Sequence, residues 1–447
     1  MASAAPSVPI SDYALSVVDE FPRINRQRQV ESSIASKTLV DILPVNLSSH
    51  ARLKDKYLEF RVPGVKGAFI DLAKLILELK LSVTQADGQT KVEEAVNVEF
   101  CNGTANTMFK SIQVYVGDQM VESNPYFNYW SFLKMLTTFS TLKLKSFGEI
   151  GNLLKDNRSG GAGVAETYDA AYFTSLGSKY KRHLKDIKDH GLHLTFHLMS
   201  DITSCDQYLC DDIPLRIRLE LANEAWYLNT DGDGSAVRAH IDFAKLWVTR
   251  LQPYPSALLA LNKELETGKI TRTIFNKTLY KSLVLGKQQT SIVCDQPWGN
   301  VIPERLYIVM ADMRAFSGVY NKNGLYFKNA DLSELTVSVN GMNMYKNTVS
   351  FPHECTRVYY DILDSLGVEN DTLLDYDSFR KGRTVFVFSL LPEDIRGTVP
   401  LEHSGNLRIS LQLKKGLDEN LVIICFGDTK GVLSINSERH VSCDTRA

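Results

Sequence analysis

One seven-residue pattern occurs twice in this chain, and its duplication limits the possible folds more than any other feature. Leu215-Arg216-Ile217-Arg218-Leu219-Glu220-Leu221 returns as Leu407-Arg408-Ile409-Ser410-Leu411-Gln412-Leu413. Both copies alternate apolar and polar residues without a fault, which in an extended chain puts every apolar side chain on one face. Either copy alone is what any half-buried strand looks like, so the neighbours decide. Leu194, Phe196 and Leu198 answer to Phe386, Phe388 and Leu390 at the same offset, 407 − 215 = 386 − 194 = 192. Two successive strands are duplicated together.

Further upstream, Val114 to Val121 is matched by Val337 to Met344. Both read as strand, two-residue turn, strand. The second turn is Asn340-Gly341, the strongest short hairpin signal, and the first is Gly117-Asp118, which suits the turn that needs glycine first. This pair is offset by 337 − 114 = 223, so the first half holds 223 − 192 = 31 extra residues between hairpin and twin strand. A proline-opened helical pattern follows each hairpin. Pro125 precedes Phe127, Trp130, Leu133 and Leu136; Pro352 precedes Val358, Tyr359, Ile362, Leu363 and Leu366, with Gly367 as a stop. Hairpin, helix, strand and twin strand recur in one order, the mark of a duplicated unit.

Length admits two or three domains, and the repeat selects two large all-β ones. The reading is therefore two tandem eight-stranded jelly rolls, each with a short helix in a long connection. Residues 1–50 read as an N-terminal arm containing the basic residues Arg23, Arg26 and Arg28, a candidate assembly arm. The first roll is expected over 51–252, with an insertion loop at about 141–190 that includes Ser159 to Gly163. A linker spans 253–268, the second roll 269–436, and a polar tail 437–447. The insertion is expected at the surface, reaching outward or across to a neighbour.

Composition is that of a folded protein, 44% hydrophobic and 23% charged, and a formal net charge of −2 argues against a general nucleic-acid binder. Seven scattered cysteines, odd in number and without metal spacing, read as reduced thiols of an intracellular protein. The five Asn-x-Ser/Thr sites matter only in a secreted chain, and no secretory, myristoylation or membrane-spanning pattern is found. The expectation is a soluble protein without a membrane anchor.

Reactive chemistry is hard to find. His190, His193, His197, Cys205 and Cys210 cluster in sequence, but two histidines four apart on a strand lie about 13 Å apart, too far to share an ion. Asn229-x-Asp231-x-Asp233-Gly234 matches the first half of a calcium loop, yet its twelfth position is His240 and its flanks are strands, so it reads as a polar turn. Phosphate-loop and nucleophile-elbow patterns are missing. Tyr126, Phe127, Tyr129 and Trp130 read as core. No catalytic residue, metal ligand or cofactor is expected, and the chain reads as a non-enzyme.

Several segments together resemble the major capsid proteins of Polinton (Maverick) elements and adintoviruses. They are Phe69 to Leu75 running on to Asp87-Gly88, Asn106 to Gly117, and Ala315 to Gly318 running on to Asn340-Gly341; the twin strands fit as well. The resemblance spans about residues 57–436. It departs at Gly117-Asp118, where such proteins often have Asn-Gly, and in a length short for the class, which puts large tower-like loops in doubt. It implies a pseudo-hexameric homotrimer that tiles an icosahedral shell, built in the host nucleus or cytoplasm and resident in the virion. Implied partners are copies of itself, penton and minor capsid proteins, and packaged double-stranded DNA held nonspecifically at most. A two-domain β-sandwich lectin or receptor-binding protein is the alternative, motivated by loops rich in Tyr and Asn.

Overall fold

The computed structural model describes residues 33–47, 52–154, 164–205, 207–267, 270–367, 371–391 and 404–444. The first roll contains β1 (Ile34–Ile42), β2 (Tyr57–Val62), β3 (Phe69–Gln85), β4 (Phe109–Val116), β5 (Gln119–Asn124), β6 (Leu192–His197), β7 (Leu215–Leu221) and β8 (Val237–Pro253). The second contains β9 (Thr271–Leu285), β10 (Ser291–Asp295), β11 (Arg305–Asp312), β12 (Leu332–Val339), β13 (Met342–Thr348), β14 (Val385–Ser389), β15 (Leu407–Leu413) and β16 (Leu421–Ile435).

Antiparallel pairing orders the first roll β1-β8-β3-β6 and β2-β7-β4-β5; the second repeats it as β9-β16-β11-β14 and β10-β15-β12-β13. Lettered B to I along the chain, each roll reads B-I-D-G and C-H-E-F, the two facing sheets of a jelly roll. The strands that revealed the repeat, β7 and β15, are the H strands. Register is duplicated too: Ile217 pairs with Val114 and Ile409 with Val337. Their apolar faces point inward, with Leu215, Ile217, Leu219, Leu407, Ile409 and Leu411 at most 2% exposed. Both turns take the expected form: Asn340 and Gly341 have φ 51° and 80°, whereas in the first hairpin Gly117 alone is left-handed, at φ 59°.

Two boundaries are corrected. The arm expected over 1–50 ends earlier, because Ile34–Ile42 is β1, paired along its length with β8. Its residues are mostly exposed, so backbone hydrogen bonds hold this edge strand and no alternation marks it in the sequence. The tail beyond 436 contributes Val441–Asp444, which pairs with Val432–Ile435. Within the 253–268 linker, Ser256 to Glu266 reads as helix-like in the sequence, and the structure has a helix there, α3 (Pro255–Glu266), with proline in its first turn.

The helices of the long connections are α1 (Phe127–Thr138) and α4 (Thr356–Leu366), the latter ended by Gly367 in the left-handed conformation. The insertion expected as a loop includes α2 (Ser178–His190), an amphipathic helix whose Ile187 is buried.

Candidate assembly site: the seam and the open edges

Helix α1 separates the two rolls. Ten of its twelve residues are buried, because apolar neighbours meet it from both sides. The Trp130 ring stacks on Phe426 of β16 at 5.1 Å and meets Tyr307 of β11 edge-on at 5.3 Å. Tyr129 stacks on Phe316 at 5.7 Å, and Phe132 packs against Phe327 at 6.1 Å, with the buried Arg383 guanidinium 4.6 Å over the Phe132 ring. Each pair joins the first roll to the second; Phe127, Tyr129 and Trp130 are buried as the core reading expects, whereas Tyr126 is half-buried.

Below Trp130 lies a buried charged cluster drawn from both rolls. Asp201 accepts the Thr278 N–H at 2.8 Å, the Thr278 hydroxyl at 2.7 Å and the Trp130 indole N–H at 3.4 Å, and Lys134 Nζ stands 3.3 Å from it. Glu122 on β5 accepts the Ser200 hydroxyl and the Asp201 N–H. Asp428 on β16 accepts the Tyr307 hydroxyl at 3.1 Å. One oxygen of Glu122 and one of Asp428 have no hydrogen-bond partner among the described residues. Burial, then the Asp201 charge, pushes the Glu122 carboxyl up to about 8. Burial also raises Asp428, with Lys134 opposing. For Lys134 burial alone would lower the ammonium, but Asp201, Asp428 and Glu122 together outweigh it and hold it above its ordinary value.

Polar contacts also join the rolls. The insertion crosses the second roll of its own chain: Glu166 pairs with Lys328 at 2.8 Å, the Asn323 side chain donates to the Ala165 carbonyl at 2.8 Å, and Thr141 donates to Asp371. Near the C-terminus, buried Asp211 of the first roll pairs with Arg439, which also donates to Asn262 of α3 at 2.9 Å. Among the described residues the twin helix α4 has no such cover, and Tyr360 is 61% exposed. The edge strands β5 and β13 present Met120, Met342 and Met344 to solvent; β1 and β9 present Leu39, Ile274 and Val284.

The candidate arm residues Arg23, Arg26 and Arg28 lie outside the described residues, as does the loop Ser159 to Gly163. His193 is drawn to Glu78 at 2.9 Å, His197 is half-buried and held low by burial and Lys143, and Cys205 and Cys210 are buried. Among the described residues, no group of three or more His, Cys, Asp or Glu side chains is arranged to hold a metal. Asn229 belongs to the short strand Leu228–Thr230, and Asp233 accepts the Ser235 N–H at 2.9 Å within its own turn. Glu122, Lys134, Asp201 and Asp428 were not foreseen, and their sequence separations offer no signal that could have joined them.

No family model matches the chain, and no curated protein matches it by sequence. Solved structures do match. A chain of the Sputnik virophage superposes with TM-score 0.57 at 11% identity, covering 99% of this chain and 93% of that one. The Faustovirus major capsid protein gives 0.55 at 9% identity, over 96% and 94%. The mavirus major capsid protein gives 0.52 at 10% identity, over 99% and 96%. Matches that span both chains almost end to end, at so little identity, reflect shared architecture: this chain has the double-jelly-roll fold seen in viral major capsid proteins.

Proposed function

We propose that the chain is a major capsid protein, a structural subunit whose pseudo-hexameric homotrimers tile an icosahedral shell around double-stranded DNA. The observation that carries this reading is the asymmetry of the duplicated helices. Helix α1 seats the first roll on the second, while α4, its equivalent in the second roll, is left open. Seating α4 on the first roll of the next copy would repeat the same joint, and three copies would close a ring of six similar rolls. The edge strands and their exposed apolar residues then face neighbours in the lattice.

Penton and minor capsid proteins would bind the trimer's rim, and residues 1–32 would tie copies together. The Polinton and adintovirus lineage rests on the sequence segments quoted above. Catalysis and a cofactor are not part of the proposal, and none of the likenesses above is to a lectin. Light scattering on the purified protein tests it: trimers, with hexagonal outlines in negative stain, are expected. A chain that stays monomeric at high concentration across salt and pH refutes it. Tyr360→Glu on α4 is expected to abolish the trimer while leaving the monomer folded.

A further inference from the structure

Helix α1 covers the outward face of the B-I-D-G sheet of the second roll, where Tyr307 and Phe426 meet Trp130. Strand register identifies the same face on the first roll. His193 and Thr195 answer to Val385 and Val387 at the offset of 192 that relates the repeats, 385 − 193 = 192. Pairing carries the match across the sheet. Glu78 and Lys245 share a row with Thr195, as Tyr307 and Phe426 do with Val387; Lys80 and Phe243 share a row with His193, as Val309 and Ile424 do with Val385.

The side chains at these six matched positions differ in kind. In the second roll all are apolar or aromatic and at most 5% exposed. In the first, Lys80 and His193 are exposed, and Glu78, Thr195, Phe243 and Lys245 are half-exposed. Charge there is ordered along the strands. Asp41, exposed and opposite Trp247, stands at one end, and Lys80, opposite Phe243, stands at the other. Between them Lys245 lies over the Phe243 and Trp247 rings at 5.3 and 5.4 Å and pairs with Asp41 at 2.9 Å. Glu78 takes the Trp247 indole N–H at 2.6 Å and lies 2.9 Å from His193. Lys80 has no ion-pair partner among the described residues.

Helix α4 carries the opposite order. Arg357, Tyr360 and Asp364, spaced by three and four, share one face of the helix, and all three are exposed. Arg357 pairs with Asp361 of its own helix at 2.9 Å, and Asp364 has no ion-pair partner among the described residues. Arg357 and Asp364 are about 10 Å apart along the helix axis. The sheet rows holding Asp41 and Lys80 are about 13 Å apart, so both ends come within side-chain reach together.

We propose that this face of the first roll is the docking site for α4 of a second copy. Tyr360 lies on the platform of Phe243, Lys245 and Trp247, Asp364 meets Lys80, and Arg357 meets Asp41. The proposal rests on the reading of the chain as a subunit that closes into a ring. It adds that the joint between copies is made by charge, where the joint within a chain is made by apolar packing. Salt therefore weakens association between copies while the two rolls of one chain stay together.

Lys80→Glu in the full-length protein tests the site, with light scattering reading the concentration at which half the chains are trimeric. The change is on an exposed side chain, so the monomer is expected to fold as before and that concentration to rise at least about tenfold. Asp364→Lys is expected to do the same, and the two changes together to restore trimers. A photoreactive benzoyl-phenylalanine in place of Tyr360, irradiated in the trimer, is expected to cross-link to β1, β3, β6 or β8 of another copy. A parent that forms no trimer refutes the ring reading, and this site with it. A parent that trimerises, with Lys80→Glu trimerising equally well or the cross-link falling elsewhere, overturns the site and leaves the ring reading standing.

Discussion

The seam cluster makes the contact between the rolls dependent on pH, and Glu122→Gln is the change that isolates this. Glutamine keeps the shape and the acceptor oxygen that meets Ser200 and the Asp201 N–H, but it cannot ionise. In the native protein the Glu122 carboxyl is held at about 8 against an ordinary 4.5, so the folded state binds this proton more tightly than the unfolded chain does. The group's stabilisation is therefore complete below pH 4.5 and is lost as pH rises through about 8. A shift of 8 − 4.5 = 3.5 units, at about 1.4 kcal/mol per unit, sets the whole effect at about 5 kcal/mol, of which about 3 kcal/mol is lost by neutral pH.

Guanidinium unfolding followed by tryptophan fluorescence provides the assay, because Trp130 touches Asp201. The variant and the parent should unfold alike near pH 5, and the variant should gain several kcal/mol on the parent by about pH 8. Comparing the two proteins at each pH cancels the titrating groups that do not interact with Glu122. A difference that stays constant across this range refutes the reasoning.

Lys134→Met should be destabilising by about 3–5 kcal/mol at neutral pH, since it leaves buried carboxylates without their cation, and denaturant midpoints measure it. Trp130→Ala should cost about 3–5 kcal/mol and loosen one roll from the other, seen as earlier cleavage within the linker helix in limited proteolysis. Deleting residues 1–30 should leave the trimer intact and impair shell assembly, whereas deletion through residue 43 removes β1 and should give aggregated protein; electron microscopy distinguishes the two. In the native protein Cys443 should react first with a thiol reagent, being the only one of the seven cysteines not buried, while Cys101, pushed up to about 12 by burial, should stay silent until unfolding.

How much of this was legible in the sequence follows from what each element needs. The H strands and the hairpins are half-buried and locally specified, so alternation and turn residues announced them. Strand β1 is held by its partner's backbone and buries little, which is why it read as arm. The core aromatics of α1 were legible as apolar spacing, but that spacing does not say which surface covers a helix, and here it is the other domain. The seam charges were illegible for the opposite reason: each is an ordinary polar residue, and only folding brings strands 300 residues apart against one lysine, as 428 − 122 = 306 shows for the two outer carboxylates.

The pairing of β1 with β8 also governs how the chain is made. Ile34 pairs with Pro253, 253 − 34 = 219 residues downstream, and in the second roll Thr271 waits for Ile435. At about 5–20 residues per second, β1 spends roughly 10–40 s outside the ribosome without its partner. During that interval the nascent chain carries an unpaired edge, the kind that a neighbouring nascent chain can capture. Polar Ser36 and Thr38 and the charged Lys37 and Asp41 interrupt the apolar residues of β1, and charges on such an edge oppose capture by a wrong partner.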